Sequence, residues 1–483
     1  MIRSLVWASL RQRPGRSLLL LFGYALGVGV TVALLSIGDA LVEQSRDRDL
    51  LGGGDLLVLP AGIDLETLRT GGVSSLYFTL DQGRFYYRDV LTGPRFVDDI
   101  ESVAPWLEDE LLYLEAGGER IAVSGGGQVP SLARALGAYP NLLEGSWEDS
   151  RTDRRWTRPG VAERLREIDA FRPTPPAAAG DSTWAEWHYF NVVSPDGSEW
   201  IYLTSLAGGD IPDGEWGGRV LLTHVRADGE EQSEFIDLAA ADIQLGFDRP
   251  DLVMGNSYVR LRPDGTYEIR ATVPGTHGAL AVDLLLDPGP GRYLPPVDVS
   301  PGGFPSGYVV PVLRGTANGT VCVAGSCRAW EDASAYHDHN WGVWRDVTWD
   351  WGHFEAGDLS ILYGGVRQAT EAGKGRSGGR FAFVMDSLGL AAVLPIRNIE
   401  YEWVDDGPVT MHLLAARGQQ SLRLDVSVDH WRATERETDG PGHTFYQLRG
   451  RAEVEGVLVD GIVSARGTGS FETWSTSGEG QTR

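Results

Sequence analysis

The sequence predicts a mainly β protein with two antiparallel β-barrels, which follow one apolar N-terminal helix and a small α+β region. Short alternating strands, separated by Asp, Gly and Pro turns, run from residue 181 almost to the end of the 483-residue chain. About 300 residues of such strands is too much for one small barrel, so we expect two. Apolar residues make up 42% of the chain and charged residues 23%, which is typical of globular proteins.

The first element is an apolar segment of 22 residues without a charge, Ser17 to Gly38. As a helix it would be about 33 Å long, enough to span a bilayer. Arginines precede it and acidic residues follow it: Arg3, Arg11, Arg13 and Arg16 before, Asp39 and Glu43 after. The positive-inside rule then predicts a single-pass protein of the cytoplasmic membrane, with its N-terminus inside and its bulk extracytoplasmic, in the periplasm. A cleaved signal peptide is the alternative, but the length of the segment favours an anchor.

The next elements divide the remaining chain into three parts. Residues 46–180 mix strand-like and helical pieces and end in the linker-like "FRPTPPAAAGD". After this linker, turns such as "SPDGS" and "RPDGT" separate successive strands, as hairpins require. We therefore expect an anchor at 1–45, an α+β region at 46–180, a first barrel at 181–357 and a second barrel at 358–483.

The charge of the chain excludes one class of partner. The net charge is −25, and such a surface repels phosphate backbones, so we expect no nucleic-acid partner. No glycine-rich segment leads into a helix with a lysine, so we expect no phosphate site and no cofactor.

The two cysteines, Cys322 and Cys327, lie in "TVCVAGSCRAW". A tight turn at Ala324–Gly325 would place them opposite each other in a hairpin, close enough for a disulfide. An extracytoplasmic location would allow the bond to form. The alternative is a pair of small buried residues.

Candidate functional residues concentrate in "AYHDHNWGVWRDVTWDWGH", residues 335–353, which holds three of the nine histidines and four of the sixteen tryptophans. We expect a hairpin of strands 336–342 and 348–354, in which Trp341 pairs with Trp349. Side chains alternate along a strand, so six rings would share one face. Those six are His337, His339, Trp341, Trp349, Trp351 and His353, with Asp338, Asn340 and Asp350 on the other face.

Three interpretations of this stretch remain open. It forms an aromatic catalytic pocket, in which indoles stabilise a cation and Asp338, His339 or His337 moves protons. It holds a metal through its His-x-His pair, although the absence of a cysteine ligand or a compact acidic cluster argues against a metal. Or the rings are core residues that plug the end of a barrel.

Several motifs together resemble the AttH-like and carotenoid 1,2-hydratase-like proteins. They are "TWAEWHYF", "SGYVVPVLRGTANGTVCVAG", "AYHDHNWG" with "WDWGH", and the closing "GTGSFETW". The resemblance covers roughly residues 181–478 and implies two tandem lipocalin-like barrels. Some family members hydrate an isolated alkene or catalyse pericyclic reactions. Others are exported proteins associated with ABC transport systems.

The resemblance also implies roles for single residues. His339 and Trp341 match a functional His-x-Trp pair of the hydratases. The hydratases then carry Tyr-x-Asp on a following strand, and here Tyr363 is present but Gly365 stands in place of the acid. Asp338 and Asp350 are the candidates to replace it. The candidate pocket residues are Trp341, Trp349, Trp351, Asp350, His353, Tyr363, Trp187 and Tyr189.

The N-terminal segment, with "GGGDLLVLPAG" after it, resembles the first helix of FtsX/MacB-type ABC permeases. One hypothesis is therefore a membrane-anchored lipocalin-like protein that binds or hands over an apolar lipid or isoprenoid beside ABC permease or ATPase partners. The alternative is a hydratase or cyclase that acts on an isolated alkene of an isoprenoid or polyketide-like substrate. The missing acid favours the first hypothesis, and the cluster of rings keeps the second open.

Overall fold

The computed structural model describes residues 14–44, 58, 79–117, 119–137, 148–276, 278–289, 291–298, 306–344, 347–368, 380–405, 407–436 and 443–476. Its helices are α1 (Pro14–Gln44), α2 (Leu80–Phe85), α3 (Pro130–Ala135), α4 (Arg151–Thr157) and α5 (Val161–Asp169), with a π-helical turn at Tyr86–Leu91 and 3₁₀ turns at Pro176–Ala178 and Ala240–Asp242.

Twenty-two strands make up most of the described chain. In chain order they are β1 (Trp106–Ala116), β2 (Glu119–Gln128), β3 (Trp184–Val193), β4 (Trp200–Gly209), β5 (Trp216–Val225), β6 (Glu231–Ala239), β7 (Ile243–Leu245), β8 (Leu252–Met254), β9 (Ser257–Leu261), β10 (Tyr267–Val273), β11 (Leu280–Asp287), β12 (Leu294–Asp298), β13 (Gly307–Val323), β14 (Ser326–Val343), β15 (Val347–Ala356), β16 (Leu359–Gln368), β17 (Phe381–Asp386), β18 (Gly389–Val404), β19 (Gly407–Arg417), β20 (Gln420–Arg436), β21 (His443–Leu458) and β22 (Gly461–Thr476).

The chain divides into two compact units. The first comprises Met1–Phe78 and Ser102–Ser150, and its described part contains α1, α3 and the antiparallel pair β1–β2. Within the part of the chain that the structure describes, no helix is both long and apolar enough to cross a bilayer. The expected membrane anchor is therefore not confirmed and stays a prediction.

The second unit comprises Thr79–Glu101 and Arg151–Arg483 and contains two large sheets. The first sheet has twelve strands in the order β6-β5-β4-β3-β14-β13-β11-β10-β9-β8-β7, with β12 paired to β13 beside this path. Alternation builds its core: along β10, Tyr267, Ile269, Ala271 and Val273 are buried, while the residues between them point outward.

Helix α5 packs its apolar face into the core of the first sheet. Leu165, Ile168 and Asp169 are buried and lie three and four residues apart, which puts them on one face of the helix. Leu165 and Ile168 join the hydrophobic core of the sheet. The same face therefore carries the carboxyl group of Asp169 into the interior.

The second sheet is a closed barrel of strands β15 to β22. It closes because β15 pairs with β16 on one edge and with β22 on the other. A side chain at Gly467 or Gly469 would clash with the backbone of β15, so these glycines allow β22 to approach it. The structure thus confirms the mainly β architecture with two barrel-like sheets, one closed and one nearly closed.

The expected hairpin of residues 336–342 and 348–354 is wrong. β14 pairs with β13 and β3, whereas β15 pairs with β16 and β22, so Trp341 lies opposite Glu186 and Trp349 opposite Val366. The reason is the length of β14. All of its 18 residues belong to the first sheet, where the strand pairs with β13 and β3, so the chain has left the stretch 336–342 before it reaches the closed barrel. The chain passes to the closed barrel between Val343 and Val347, ahead of the boundary drawn at residues 357 and 358.

Candidate functional site

A small pocket lies where the first sheet meets the closed barrel, and its free volume is about 10 Å³, room for about one water molecule. Strands β3, β4 and β14 form one wall, and β15, β21 and β22 form the other. The lining residues are Tyr189, Tyr202, Tyr336, Trp351, His353, Gln447, Leu448, Ser470, Phe471 and Glu472.

Glu472 is the carboxyl group among the lining residues. Its Oε2 accepts a hydrogen bond of 2.8 Å from the indole N–H of Trp349. Burial raises the pKa of Glu472 to about 7, against the opposing effect of its hydrogen bonds with Trp349 and Gln447. A carboxyl group with such a pKa still carries its proton near neutral pH and acts as a general acid.

His353 is the imidazole of the pocket and is 7% exposed. Burial lowers its pKa to about 3, so the ring is neutral, although a hydrogen bond with the backbone of Leu313 acts in the opposite direction. Its Nε2 has no hydrogen-bond partner among the described residues. The ring stacks on Tyr336 with centroids 4.4 Å apart. A neutral, unpartnered ring nitrogen is a proton acceptor.

Tyr336 connects the pocket to a second buried carboxyl group. Its hydroxyl donates to Oδ2 of Asp338 at 2.9 Å and lies 3.2 Å from the indole nitrogen of Trp351. Asn340 donates to the other oxygen of Asp338 at 2.7 Å. Burial raises the pKa of Asp338 to about 7, partly offset by the hydrogen bond from Tyr336. Asp338 therefore lies behind the wall of the pocket.

Aromatic rings cover much of the remaining wall. Tyr189 stacks on Tyr202 with centroids 6.2 Å apart, and Trp351 meets Tyr308 edge to face at 4.7 Å. Phe471 lies on the side of the closed barrel. The faces of such rings carry partial negative charge and stabilise a cation that is shielded from water.

The opposite face of β14 contributes to a different place, a buried polar cluster inside the first sheet. We define this cluster as Asp169, Glu186, His188, His337 and His339, all with 0% exposure. Its contacts are short: Asp169 Oδ1 lies 2.9 Å from His339 Nδ1, and Glu186 Oε1 lies 2.8 Å from His339 Nε2.

Electrostatics in this cluster favour charged carboxylates. Burial alone would raise the pKa of Asp169, but His337, His188 and His339 lower it below its usual range. Burial opposes the protonation of His339, yet its hydrogen bonds with Asp169 and Glu186 raise its pKa above the usual value. His188 has no carboxylate within hydrogen-bond distance, and burial lowers its pKa well below the usual value.

The structure distributes the candidate residues over several places. Tyr189, Trp351 and His353 line the pocket, while Trp349 and Asp338 lie behind it. The remaining candidates lie elsewhere: His337 and His339 in the polar cluster, Trp341 under the guanidinium of Arg172, Trp187 against Trp344, Tyr363 against Met411 in the core of the closed barrel, and Asp350 beside Thr473. The pair Cys322 and Cys327 forms a disulfide across the β13–β14 turn.

Sequence reasoning missed Glu472 and Asp169. Glu472 stands in the closing motif "GTGSFETW", where a lone carboxylate between apolar residues of a strand was the available signal. Asp169 is the last residue of α5, on the helix face that also carries Leu165 and Ile168, and helical spacing could have indicated its burial.

No protein-family model and no curated protein matches the chain. Among solved structures, it resembles CghA in complex with Sch210972, with 14% identity over 65% of this chain and 95% of that chain and a TM-score of 0.45. It resembles a putative AttH from Nitrosomonas europaea, with 14% identity over 62% and 99% of the two chains and a TM-score of 0.44. It also resembles kievitone hydratase from Nectria haematococca, with 14% identity over 64% of this chain and 94% of that chain and a TM-score of 0.40.

One of these structures is of a putative AttH. The resemblance of the N-terminal segment to FtsX/MacB-type permeases finds no support in the comparisons. Similarities of this low identity and TM-score carry no conclusion about activity. What this chain does must be argued from its own side chains.

Proposed function

We propose that this protein is an acid–base enzyme that protonates an isolated carbon–carbon double bond and completes a hydration or cyclisation. One observation carries the proposal: a partly buried carboxyl group, Glu472, lines an aromatic pocket that also holds a neutral imidazole, His353. Acid, cation-stabilising wall and base are the three parts that such a reaction requires.

The first step is proton transfer from Glu472 to the alkene. The proton forms a new C–H bond with the π electrons, and the other alkene carbon becomes a cation while Glu472 becomes a carboxylate. The rings of Tyr189, Tyr336 and Trp351 lie around this space and stabilise the cation. The hydrogen bond from Trp349 stabilises the new carboxylate.

The second step consumes the cation. A water molecule adds through oxygen, and His353 Nε2 takes the proton that the resulting oxonium ion releases. Even an imidazole of low basicity accepts this proton, because an oxonium ion is strongly acidic. The proton returns to Glu472 through solvent. In the overall reaction, one alkene and one water molecule therefore give one alcohol. Attack by a second double bond of the substrate would instead form a ring.

The pocket is too small for a whole lipid. Pockets that enclose drug-sized ligands measure about 300–1,000 Å³. The free space inside this pocket is about 10 Å³, room for about one water molecule. The end of an isoprenoid chain, which is where an isolated trisubstituted alkene lies, would enter it only if side chains of the wall move apart. The membrane anchor, the extracytoplasmic location and ABC transporter partners remain predictions from the sequence.

Deuterium incorporation tests the proposal without knowledge of the natural substrate. We would incubate the full-length chain in D₂O with isoprenoids that carry a terminal isopropylidene group, such as farnesol and squalene, and follow masses. We expect a new C–D bond together with added water, or an isomer with deuterium. Replacement of the general acid by Glu472→Gln should slow this by about 10²–10⁴-fold.

The matched control is Glu453→Gln, since Glu453 is an exposed glutamate of the same barrel that pairs with Arg466. This variant should keep the wild-type rate. Retention of the isoprenoid unchanged, without any deuterium, would favour the carrier function. Equal rates in the wild type and Glu472→Gln would contradict the role of Glu472.

A further inference from the structure

We propose that the polar cluster inside the first sheet is a site for one divalent transition-metal ion, with zinc as the best match. The protein ligands would be Asp169 Oδ1, His188 Nε2 and His339 Nδ1, and a water molecule would complete the tetrahedron. The site is separate from the pocket, and the proposal does not depend on the proposed enzyme activity.

The ligand atoms already converge. One atom from each of the three residues lies within 4.8 Å of the other two. Asp169 Oδ1 is 2.9 Å from His339 Nδ1 and 3.6 Å from His188 Nε2. Zinc bonds of about 2.0–2.1 Å at tetrahedral angles place neighbouring ligands roughly 3.3 Å apart, between these two values.

His188 gives the independent indication of a ligand. The ring is fully buried, and neither of its nitrogens makes a hydrogen bond with a side chain among the described residues, although the ring interacts with the backbone of Asp169. It stacks on Phe171 with centroids 4.5 Å apart, which fixes the plane of the ring with Nε2 toward Asp169. A buried imidazole without a well-formed side-chain hydrogen bond is unfavourable, and a metal ion at Nε2 would satisfy it.

An outer shell orients the ligands. Tyr267 donates to Asp169 Oδ2 at 2.6 Å, and His337 Nε2 lies 3.1 Å from the same oxygen, so the ion would bind at Oδ1. His339 meets Glu186 through Nε2, and the ion would replace the 2.9 Å contact between His339 Nδ1 and Asp169 Oδ1. Metal-binding histidines commonly engage a carboxylate through the second ring nitrogen in this way.

The chemistry of the donors indicates the class of ion. Two imidazoles and one carboxylate suit zinc and similar borderline ions better than Mg²⁺ or Ca²⁺, which prefer oxygen ligands. Charge also favours a cation, because Asp169 brings a negative charge into a fully buried volume, while Glu186 is already paired with Arg172 at 3.3 Å. Since all three ligands have 0% exposure, the ion would enter during folding and stabilise the sheet.

The test is to express the full-length chain in medium supplemented with cobalt and then to measure metal content and visible absorption. We expect about one cobalt per chain and the strong absorption of tetrahedral Co²⁺. His188→Gln should remove both signals. His224→Gln is the matched control, because His224 is also buried but is hydrogen-bonded to Glu199 at 2.7 Å.

X-ray absorption of the cobalt-loaded wild type decides the matter if His188→Gln does not fold. Two imidazoles and an oxygen ligand in the first shell support the site. A folded wild-type protein without bound cobalt or zinc, or with a first shell that lacks imidazole, overturns the proposal. The cluster would then be a hydrogen-bonded network in which a protonated His339 bridges two carboxylates.

Discussion

The two faces of β14 show how the same residue types serve different purposes. On one face, His337 and His339 contact carboxylates inside the first sheet at 2.8–3.1 Å. On the other face, Tyr336 and Asp338 lie toward the closed barrel, where the hydrogen-bond partners of Asp338 among the described residues, Tyr336 and Asn340, are neutral. Buried charges that are paired are inert, whereas buried acids without a cation keep their protons. The polar cluster therefore differs from the pocket in that its carboxylates face histidines that can carry a positive charge.

The largest effect that would sharpen this comparison is the pH dependence of the proposed reaction. The rate constant kcat/KM should fall about tenfold per unit as pH rises above about 7, because Glu472 loses its proton. It should also fall as pH drops below about 3, where His353 becomes protonated. A profile from pH 2 to 9 measures both limbs. A rate that increased through pH 7 would contradict an acid role for Glu472.

The second effect concerns stability and separates the two regions directly. Asp169→Asn should lower the free energy of unfolding by about 3–5 kcal/mol, because it removes a buried charge that faces three histidines. Glu472→Gln should leave the free energy of unfolding unchanged or raise it, since within the described part of the chain the wild-type carboxyl pairs with Trp349 and Gln447 and with no cation. Urea unfolding at pH 7 measures both variants. Equal losses of unfolding free energy in the two variants would show that the polar cluster and the pocket do not differ in how their carboxyl groups affect stability.

A third effect links Glu472 to the pH dependence of stability. Its pKa is raised from 4.5 in the unfolded chain to about 7 in the folded state. Its contribution is therefore fully present below about pH 4.5 and is lost as pH rises through 7. The loss is about 3 kcal/mol. Unfolding curves of wild type and Glu472→Gln should diverge by this amount between the two pH values, and parallel curves would contradict the raised pKa.

The smallest effect concerns the aromatic wall. Trp351→Phe removes the indole nitrogen that lies 3.2 Å from the Tyr336 hydroxyl, and part of a packed ring. We expect a loss of about 1–2 kcal/mol in unfolding free energy. Trp431→Phe is the control, since Trp431 is 39% exposed and should lose less. Equal losses in both variants would indicate that Trp351 only fills space.

The local pattern of the sequence predicted the faces of β14 correctly but not its neighbours. Alternation alone places His337 and His339 on one side and Asp338 on the other. Pairing is non-local: β14 meets β3, about 150 residues earlier along the chain, and no turn signal encodes that contact. The expected hairpin therefore had the two faces of β14 right but paired this strand with the wrong neighbour.

Contacts between distant parts of the chain also explain which residues of the candidate site the sequence did and did not reveal. Tyr189, Trp351 and His353 were identified from motifs that concentrate rings in short stretches. Glu472 and Asp169 lie far from those stretches in sequence and reach their places through barrel closure and through the packing of α5. His188 and Asp169 lie outside residues 335–353, and only the fold brings them to His339, so the stretch by itself showed too few ligands for a metal.

The hydrogen bond between Asn191 and Ser470 joins the two pocket walls across 279 residues of chain. Contacts of such long range form late, because the entropy of closing the intervening loop is lost before they stabilise the structure. A nascent chain would therefore have folded most of its first sheet before any reactive cavity existed. Until β22 docks, the aromatic surface of the first sheet is open to water and to other chains, so assembly of the pocket is also the step at which aggregation competes with folding.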